Sequence, residues 1–305
     1  MIKLIVSDLD GTLLDTSKQI AERDRLAVTK AYESGLDLCI ASGRMNAEIK
    51  VIMGSFPNQY HAVGQNGATV RLKNERLLGA MDFAPELSLR LLQAVPSEEF
   101  ISFVHCTDDS YYARAHNEVS RSYEKRIMSE SSVLNELEEA LANDEFRCSK
   151  LACFGELGKL SKLEARLNRQ FPGQIETFIS DNDCLDIMPL NVSKGTGLSL
   201  LIRELGIAPD EIACIGDSFN DLSMFALTPH SFAMVESPDE IREQASTVVH
   251  SVAEAIHHIM AYNTMSVTNI SILRSDVGIG HHTRRTEWMR VWNDSNGVRH
   301  LFAGD

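Results

Sequence analysis

Two carboxylates stand two residues apart, directly after the first apolar run of the chain. The run Ile2–Val6 is apolar except at Lys3 and rich in β-branched residues, which is typical of a strand buried on both faces. Asp8 and Asp10 follow it, and neighbouring carboxylates repel each other unless a cation neutralises them or one of them holds a proton. Carboxylate oxygens suit Mg²⁺, so the motif predicts a metal site at a strand end. An aspartate-rich turn that caps a helix is the alternative.

A second pair of carboxylates follows another apolar strand pattern much later in the chain. Asp217 stands just beyond the predicted strand 211–215, and Asp221 comes four residues after it. In an open α/β sheet, ligands bind beyond the carboxyl ends of the strands, where separate strand ends meet. Asp217 is therefore placed to complete a magnesium site with Asp8 and Asp10, although an aspartate-capped helix is again the alternative.

Two further motifs carry groups that suit an anion. Ser42, Gly43 and Arg44 follow the predicted strand 36–41, and a hydroxyl with free backbone N–H groups at a helix start binds anions. Lys194 stands at the start of a predicted helix, where the helix dipole disfavours a cation unless an anionic ligand lies nearby. A serine cap with a surface arginine, and a solvated lysine, are the alternatives. Mg²⁺ and Lys194 would supply positive charge for a phosphorylated ligand.

The elements that must position these motifs follow two different patterns. Over the first 65 residues strands alternate with helices, which indicates βαβ units and a mostly parallel sheet. The pattern changes near residue 83 to paired helices with several antiparallel strands, and the alternation returns at the helix that Lys194 begins. We therefore predict an α/β fold with a doubly wound, mostly parallel sheet from 1–82 and 187–262. An α+β domain, 83–186, is inserted into it, and 263–305 forms an extension with a possible β-hairpin.

The bulk composition limits the classes of function. The chain has 305 residues and a formal net charge of −14, which disfavours binding to nucleic acid or to anionic membrane surfaces. None of the six cysteines forms a C-x-x-C pair, so we interpret them as buried reduced thiols. No stretch approaches the roughly 20 apolar residues of a membrane span. These features predict a cytoplasmic protein.

Taken together, four motifs resemble the haloacid dehalogenase superfamily and, more narrowly, its Cof-type sugar-phosphatase branch. They are Asp8-Leu9-Asp10-Gly11-Thr12, Ser42-Gly43-Arg44, Lys194-Gly195 and Gly216-Asp217-Ser218-Phe219-Asn220-Asp221. The resemblance covers about 1–262 and implies a Rossmann-like core with a cap domain between the second and third motifs. One departure stands at Ala233-Met234-Val235-Glu236, where the branch usually has Ala-Met-Gly-Asn. It affects the shape of a rim loop, and hence substrate fit, but not phosphoryl transfer.

The resemblance also implies a role for each motif residue. Asp8 would be the nucleophile and a magnesium ligand, and Asp10 would bind the metal through its carbonyl and act as general acid, then base. Asp217 would be the third protein ligand, and Asp221 would orient metal-bound water or Lys194. The groups implied for phosphate binding are the Leu9 N–H, Ser42, Gly43, Lys194 and Asn220.

These roles predict a Mg²⁺-dependent phosphatase that hydrolyses small phosphate monoesters, such as sugar phosphates, through an aspartyl-phosphate. The cap would close over the leaving group and exclude water. Candidates in the cap for contacting the leaving group are His105, Tyr111, Tyr112, Arg114 and His116. A phosphomutase or phosphotransferase with the same motifs is one alternative. A non-catalytic sensor of a phosphorylated metabolite is another, and it would be expected to lack Asp8 or Asp10.

Overall fold

The computed structural model describes residues 1–54, 56, 59–127, 129–275, 290–293 and 299–302. The chain divides into two compact units, Met1–Asn263 and Thr264–Asp305. The first unit contains two large β-sheets, and the described strands of the second form a separate two-stranded sheet. Within the described residues, no helix combines the length and the apolar character that crossing a bilayer requires.

The first 80 residues build one part of a mostly parallel sheet. In chain order, the elements are β1 (Leu4–Ser7), α1 (Glu22–Glu33), β2 (Asp37–Ala41), α2 (Asn46–Met53), β3 (His61–Gly64), β4 (Thr69–Arg71) and β5 (Leu77–Ala80). Strands β1, β2 and β3 are parallel, whereas β4 and β5 continue the sheet in antiparallel pairing. The parallel strands are buried, which explains their continuous apolar runs, whereas β5 is partly exposed and its pattern does not predict a strand.

The middle of the chain forms a second sheet that is mainly antiparallel. Its elements are α3 (Pro85–Ala94), β6 (Ile101–His105), β7 (Tyr111–Ala113), α4 (Glu118–Ile127), β8 (Ser132–Val133), α5 (Leu137–Ala142), β9 (Lys150–Phe154), α6 (Leu157–Gln170), β10 (Ile175–Asp181) and β11 (Cys184–Pro189). The strand order is β10-β11-β9-β6-β7-β8. Strand β8 pairs in parallel with β7, and helix α5 begins only after it, at Leu137.

The chain then returns to the first sheet. The elements are α7 (Lys194–Leu205), β12 (Ile212–Gly216), α8 (Leu222–Phe225), β13 (Ser231–Met234), α9 (Asp239–Arg242), β14 (Thr247–Val249) and α10 (Val252–Ser275). Strand β12 lies beside β1 in parallel, and the complete order is β14-β13-β12-β1-β2-β3-β4-β5. The predicted α/β class, with a mostly parallel sheet and an α+β segment inserted into it, is confirmed. The division into a catalytic core and a cap stays a prediction, and β11 crosses its boundary at 186/187.

Apolar layers cover both faces of the eight-stranded sheet. On one face Ile5 of β1 shares a buried cluster with Val28 of α1 and Ile256 of α10. On the other face Val6 shares a second cluster with Leu198 of α7. Because successive side chains of a strand point to opposite faces, β1 is clamped between two helical layers. The carboxyl end of β1 is thereby held at a fixed position in the middle of the sheet.

The second unit contributes one described pair of strands. β15 (Arg290–Asn293) pairs antiparallel with β16 (Arg299–Phe302), in the segment where the sequence predicts a possible β-hairpin. Residues 294–298, which connect the two strands, lie outside the described residues.

Candidate active site

The carboxyl ends of β1, β2 and β12 finish side by side. The last residue of β1 lies level with the second-last residue of each neighbouring strand. Asp8, Ser42 and Asp217, which follow these three strands, therefore emerge at one edge of the sheet. This is the edge at which an open α/β sheet binds its ligands.

Lys194 is the buried centre of the site. Its side chain is 1% exposed, and its Nζ donates to Asp8 Oδ1 at 2.6 Å and to Asp221 Oδ1 at 2.7 Å. Helix α7, which Lys194 begins, is capped by Ser193, whose Oγ accepts the N–H of Thr196 at 3.2 Å. A solvated lysine is therefore the wrong alternative, because this ammonium group is enclosed by carboxylates.

Asp221 organises the turn that carries Asp217. Its Oδ2 accepts the backbone N–H groups of Asp217 and Ser218, both at 2.9 Å, while Oδ1 binds Lys194. A Cβ at Gly216 would lie 2.5 Å from this carboxylate, so the close approach requires glycine there. Both oxygens of Asp221 are thus engaged, and the residue fixes its neighbours.

Asp8, Asp217 and Asp221 concentrate negative charge in one place. Their carboxylate oxygens lie within 4.8 Å of one another, and one ammonium group, that of Lys194, pairs with two of them. Burial raises the pKa of Asp8 well above its usual value, against the effect of Lys194, and the charges of Asp221 and Asp217 raise it further. Burial and then Asp221 raise the pKa of Asp217 to about 6, although its hydrogen bond from Thr12 opposes the shift. The cluster therefore favours an additional cation.

The donor set fits Mg²⁺. Asp8 and Asp217 offer hard carboxylate oxygens that are partly or fully enclosed, which is the type of ligand this ion prefers. The carboxylate of Asp221 lies in the same cluster, but its oxygens already accept hydrogen bonds from Lys194 and from two backbone amides. The remaining predicted ligand, Asp10, would bind the metal through its backbone carbonyl, and the role of this oxygen stays a prediction.

The carboxylate of Asp10 is held by two cations instead. Arg44 donates Nε to Oδ2 at 2.6 Å and Nη2 to Oδ1 at 2.8 Å, and Lys18 Nζ lies 2.8 Å from Oδ1. Burial alone would raise the pKa of Asp10, but the hydrogen bonds and charges of Arg44 and Lys18 lower it to about 2. Asp10 is thus ionised here, and Arg44, whose side chain is 10% exposed, is enclosed in the site rather than on the surface.

The predicted phosphate-binding residues gather around Asp8. Ser42 is buried and its Oγ accepts the N–H of Arg44 at 3.2 Å, while Asn220 Nδ2 donates to Asn66 Oδ1 at 3.0 Å. The side chain of Leu9 is in the apolar core, and its N–H remains the group of interest. Whether these groups hold phosphate stays a prediction.

A cavity opens above these residues, between the two sheets. On the side of the eight-stranded sheet it is lined by Asp8, Asp10, Lys18, Ser42, Gly43, Arg44, Glu48, Asp217, Ser218 and Asn220. On the side of the six-stranded sheet it is lined by His105, Lys150, Ala152, Phe154, Ser180, Asp181, Cys184 and Asp186. The motif residues and the inserted segment therefore face a common space.

Of the five cap residues named from the sequence, His105 alone lines this cavity. Tyr111 stacks on the His105 ring at 5.1 Å between centroids. Arg114 pairs with Glu138, and His116 lies 3.0 Å from the carboxylate of Glu124. These partners lie within the inserted segment, so Arg114 and His116 contribute to its internal structure.

The sequence pattern missed Lys150 and Asp186, which are nearly fully buried and line the cavity. Lys150 Nζ donates to the carbonyl of Gly43 at 2.7 Å and lies 3.4 Å from Asp186 Oδ1. A signal existed, because Asp186 interrupts the apolar strand Cys184–Pro189 and a charged residue is seldom buried without a partner.

Comparison with known proteins agrees with this architecture. The family described as haloacid dehalogenase-like hydrolase matches residues 5–260. Among curated relatives, the HMP-PP phosphatase of Serratia proteamaculans is 24% identical, covering 86% of this chain and 95% of its own. The 5-amino-6-(5-phospho-D-ribitylamino)uracil phosphatase of Bacillus subtilis is 27% identical, covering 82% and 93%.

Solved structures share the fold. A haloacid dehalogenase-like hydrolase from B. subtilis superposes with a TM-score of 0.76 at 23% identity, covering 84% of this chain and 99% of its own. Another from Bacteroides thetaiotaomicron gives 0.73 at 23% identity, covering 85% and 100%. Since the family match spans most of the chain and includes all four motifs, this protein belongs to the haloacid dehalogenase-like hydrolases.

Proposed function

We propose that the chain is a Mg²⁺-dependent phosphatase that hydrolyses small phosphate monoesters in two steps through Asp8. The observation that carries this proposal is the buried ammonium group of Lys194, shared between Asp8 and Asp221 beside a cavity. A fixed cation at a carboxylate nucleophile is what attack on an anionic phosphoryl group requires. The two curated relatives described above are both named as phosphatases.

The phosphoryl group would sit among donors that surround Asp8. Lys194, the hydroxyl of Ser42, the amide of Asn220 and the backbone N–H groups of Leu9 and Gly43 form the proposed cradle. Ser42 and Asn220 line the cavity, and the buried Nζ of Lys194 donates to Asp8 Oδ1. Preorganised donors of this kind stabilise charge on the equatorial phosphoryl oxygens without reorganising during the reaction.

Mg²⁺, when bound, supplies the positive charge that offsets the repulsion between a carboxylate and a phosphate. The residues that would hold it are Asp8 and Asp217 through their side chains and Asp10 through its carbonyl. Asp221 keeps its place beside Lys194 and orients both the lysine and the Asp217 turn. These assignments account for the excess of carboxylates over cations in the cluster.

The chemistry then proceeds through covalent catalysis. A carboxylate oxygen of Asp8 attacks phosphorus while the bond from phosphorus to the leaving oxygen breaks, and Asp10 gives that oxygen a proton. In the second step Asp10 takes a proton from the attacking water, and the bond between phosphorus and Asp8 breaks. Splitting one displacement into two in this way lowers each barrier.

Asp10 must be ionised to accept a proton in the second step, and it is ionised in this structure. For the first step Asp10 must carry a proton, and this requires the pairs with Arg44 and Lys18 to loosen. Both cations line the cavity, so an incoming anionic substrate offers them an alternative partner.

The experiment is a screen of the purified chain with Mg²⁺ against phosphate monoesters. The panel contains sugar phosphates together with the substrates named for the two relatives, HMP-PP and 5-amino-6-(5-phospho-D-ribitylamino)uracil. We expect phosphate release without an added acceptor, which distinguishes a phosphatase from a phosphotransferase or mutase. Chelation should stop the release, and added Mg²⁺ should restore it.

Asp8→Asn tests the nucleophile, because an amide cannot form an acyl phosphate at this position. We expect no detectable turnover with an unchanged circular dichroism spectrum. Asp210→Asn, an exposed substitution, serves as the control and should behave as wild type. Turnover by folded Asp8→Asn near the wild-type rate would rule out the mechanism, and activity that survives exhaustive chelation would rule out the metal.

A further inference from the structure

Three buried polar side chains form a continuous chain from the inserted segment to the fourth motif. Asn66 Nδ2 donates to Asp186 Oδ2 at 2.8 Å, and Asn220 Nδ2 donates to Asn66 Oδ1 at 3.0 Å. The relative exposures of Asp186, Asn66 and Asn220 are 2%, 0% and 6%. A cap carboxylate is thus linked through one core asparagine to a residue that lines the cavity. We call these three residues the amide relay.

The direction of every hydrogen bond in the amide relay follows from the carboxylate at its end. An ionised aspartate only accepts hydrogen bonds, so Asn66 must turn its NH₂ group toward Asp186. The carbonyl oxygen of Asn66 then faces Asn220, which must donate its own NH₂ group. Without Asp186 the amides of Asn66 and Asn220 could both be reversed, and the same number of hydrogen bonds would form between them.

The amide relay lies directly against the second motif. A Cβ at Gly43 would lie 3.2 Å from Asn66 Oδ1 and 3.3 Å from Asp186 Oδ2, so the hydrogen bond packs on this glycine. Lys150 completes the arrangement, since its Nζ donates to the Gly43 carbonyl and lies 3.4 Å from the other oxygen of Asp186. The negative charge of Asp186 is therefore compensated within the cap.

Asn66 is held in an unusual conformation to make these contacts. Its φ is +53°, in the left-handed region, which asparagine adopts more readily than most residues other than glycine. At the end of the relay, the NH₂ group of Asn220 has two N–H bonds, and one of them donates to Asn66. The Oδ1 of Asn220 has no hydrogen-bond partner among the described residues, although the atom is buried. The unpaired oxygen is an acceptor, so of the unused groups of Asn220 only the remaining N–H can donate to an anion in the cavity that this residue lines.

We propose that Asp186 and Asn66 are positioning residues that fix the amide orientation of Asn220, so that it presents an N–H to the phosphoryl group. The inference rests on the proposed phosphatase function. It assigns the inserted segment a part in the phosphate site as well as in covering the leaving group. Because the carboxylate belongs to the inserted segment and the donor to the core, Asn220 is oriented only when the inserted segment is packed against the core.

The decisive variant is Asp186→Asn. Its new amide oxygen should turn toward Lys150, and its NH₂ group toward Asn66, which reverses both following amides. We expect the dissociation constant for inorganic phosphate, measured by calorimetry with Mg²⁺, to rise roughly 10- to 100-fold, as for the loss of a hydrogen bond to a charged group. The value of kcat/KM should fall by a similar factor.

A second substitution should rescue the first. In Asn66→Asp combined with Asp186→Asn, residue 66 supplies the carboxylate and accepts from both neighbours, so Asn220 again donates. We expect phosphate affinity within roughly twofold of wild type. Asn66→Asp alone places two carboxylates in contact and should bind phosphate poorly. A purely structural role for the relay would make phosphate affinity follow the free energy of unfolding across the three variants, whereas a positioning role lowers affinity even in a variant that is as stable as wild type.

Asp24→Asn is the matched control, because Asp24 is also buried but caps helix α10 outside the cavity, where an amide oxygen can replace it. Wild-type phosphate affinity in folded Asp186→Asn, or no recovery in the folded double variant, would overturn the proposal. If Asp186→Asn failed to fold, the comparison of Asn66→Asp with the double variant would decide it.

The two proposals can fail separately. A wild-type chain that binds inorganic phosphate but releases none from any ester would contradict the phosphatase function. The calorimetric comparison of the variants would still decide the role of the relay. A wild-type chain that binds no phosphate would overturn both.

Discussion

Replacing Lys194 with methionine tests the electrostatic centre of the site. Methionine fills a similar volume without a charge, so the change removes the ammonium group that pairs with Asp8 and Asp221 and leaves the packing largely intact. Both hydrogen bonds, at 2.6 and 2.7 Å, are lost together. The free energy of unfolding should then report what this ammonium group contributes to the fold.

The expected size follows from burial. Lys194 is 1% exposed and Asp221 is fully buried, and breaking a buried ion pair by removing one partner costs about 3–5 kcal/mol. With a urea dependence of about 3 kcal/mol per molar for a chain of this size, the unfolding midpoint should fall by about 1–1.7 M. Mg²⁺ should recover part of the loss, because it neutralises Asp8.

The loss should also depend on pH. Burial already raises the pKa of Asp8 in the presence of Lys194, and without this cation the pKa rises further. A pKa that is higher in the folded state than in the unfolded state means that protonating Asp8 favours folding. The variant therefore regains part of its stability at acid pH but not at alkaline pH. The difference between the variant and wild type should therefore be smaller at pH 5 than at pH 8.

The assay is urea unfolding followed by far-ultraviolet circular dichroism, with and without Mg²⁺. Lys18→Met is the matched control, because Lys18 also pairs with an aspartate, Asp10, at 2.8 Å, but its side chain is 38% exposed. An exposed pair contributes about 0.2–1 kcal/mol. Equal midpoints for the two variants at every pH would refute the claim that Lys194 neutralises a buried acidic cluster.

The remaining predictions concern the metal and the backbone. Because the pKa of Asp217 is raised from 3.8 to about 6, a proton competes with Mg²⁺ below that pH. Calorimetry should show that the affinity for Mg²⁺ falls about tenfold for each pH unit below about 6. Without metal, the free energy of unfolding should decrease as the pH rises from 3.8 through 6, because the folded state loses its extra proton over this range. Gly67→Ala should lower both stability and kcat, because φ is +104° and a Cβ would lie 2.1 Å from the carbonyl of Ser193. In Gly35→Ala, with φ +88° and open space around the Cβ, thermal unfolding should show a cost of about 1–2 kcal/mol with kcat unchanged.

Each of these predictions has a clear contrary result. A Mg²⁺ affinity that does not change between pH 5 and pH 7 would show that Asp217 is not a ligand. Equal kcat values for Gly67→Ala and Gly35→Ala would show that the contact with Ser193 does not position the start of α7.

The local patterns of the sequence were sufficient for the sheet and for most of the site. Continuous apolar runs predict buried parallel strands, and such strands share one carboxyl edge whatever the details of packing. The sequence therefore predicts that Asp8, Ser42 and Asp217 lie at one edge of the sheet, and the ends of the three strands they follow lie side by side. Lys194 could be associated with an anion because a helix start disfavours a cation.

Only the tertiary structure decided which charges meet across the cavity. Asp186 lies 120 residues from Asn66, and Lys150 lies 107 residues from Gly43. No periodicity in the sequence reports such pairings, because they depend on how the inserted sheet packs over the first. The same is true of Asp10, whose spacing from Asp8 is local information, whereas its ionised state is set by the cations that the fold brings to it.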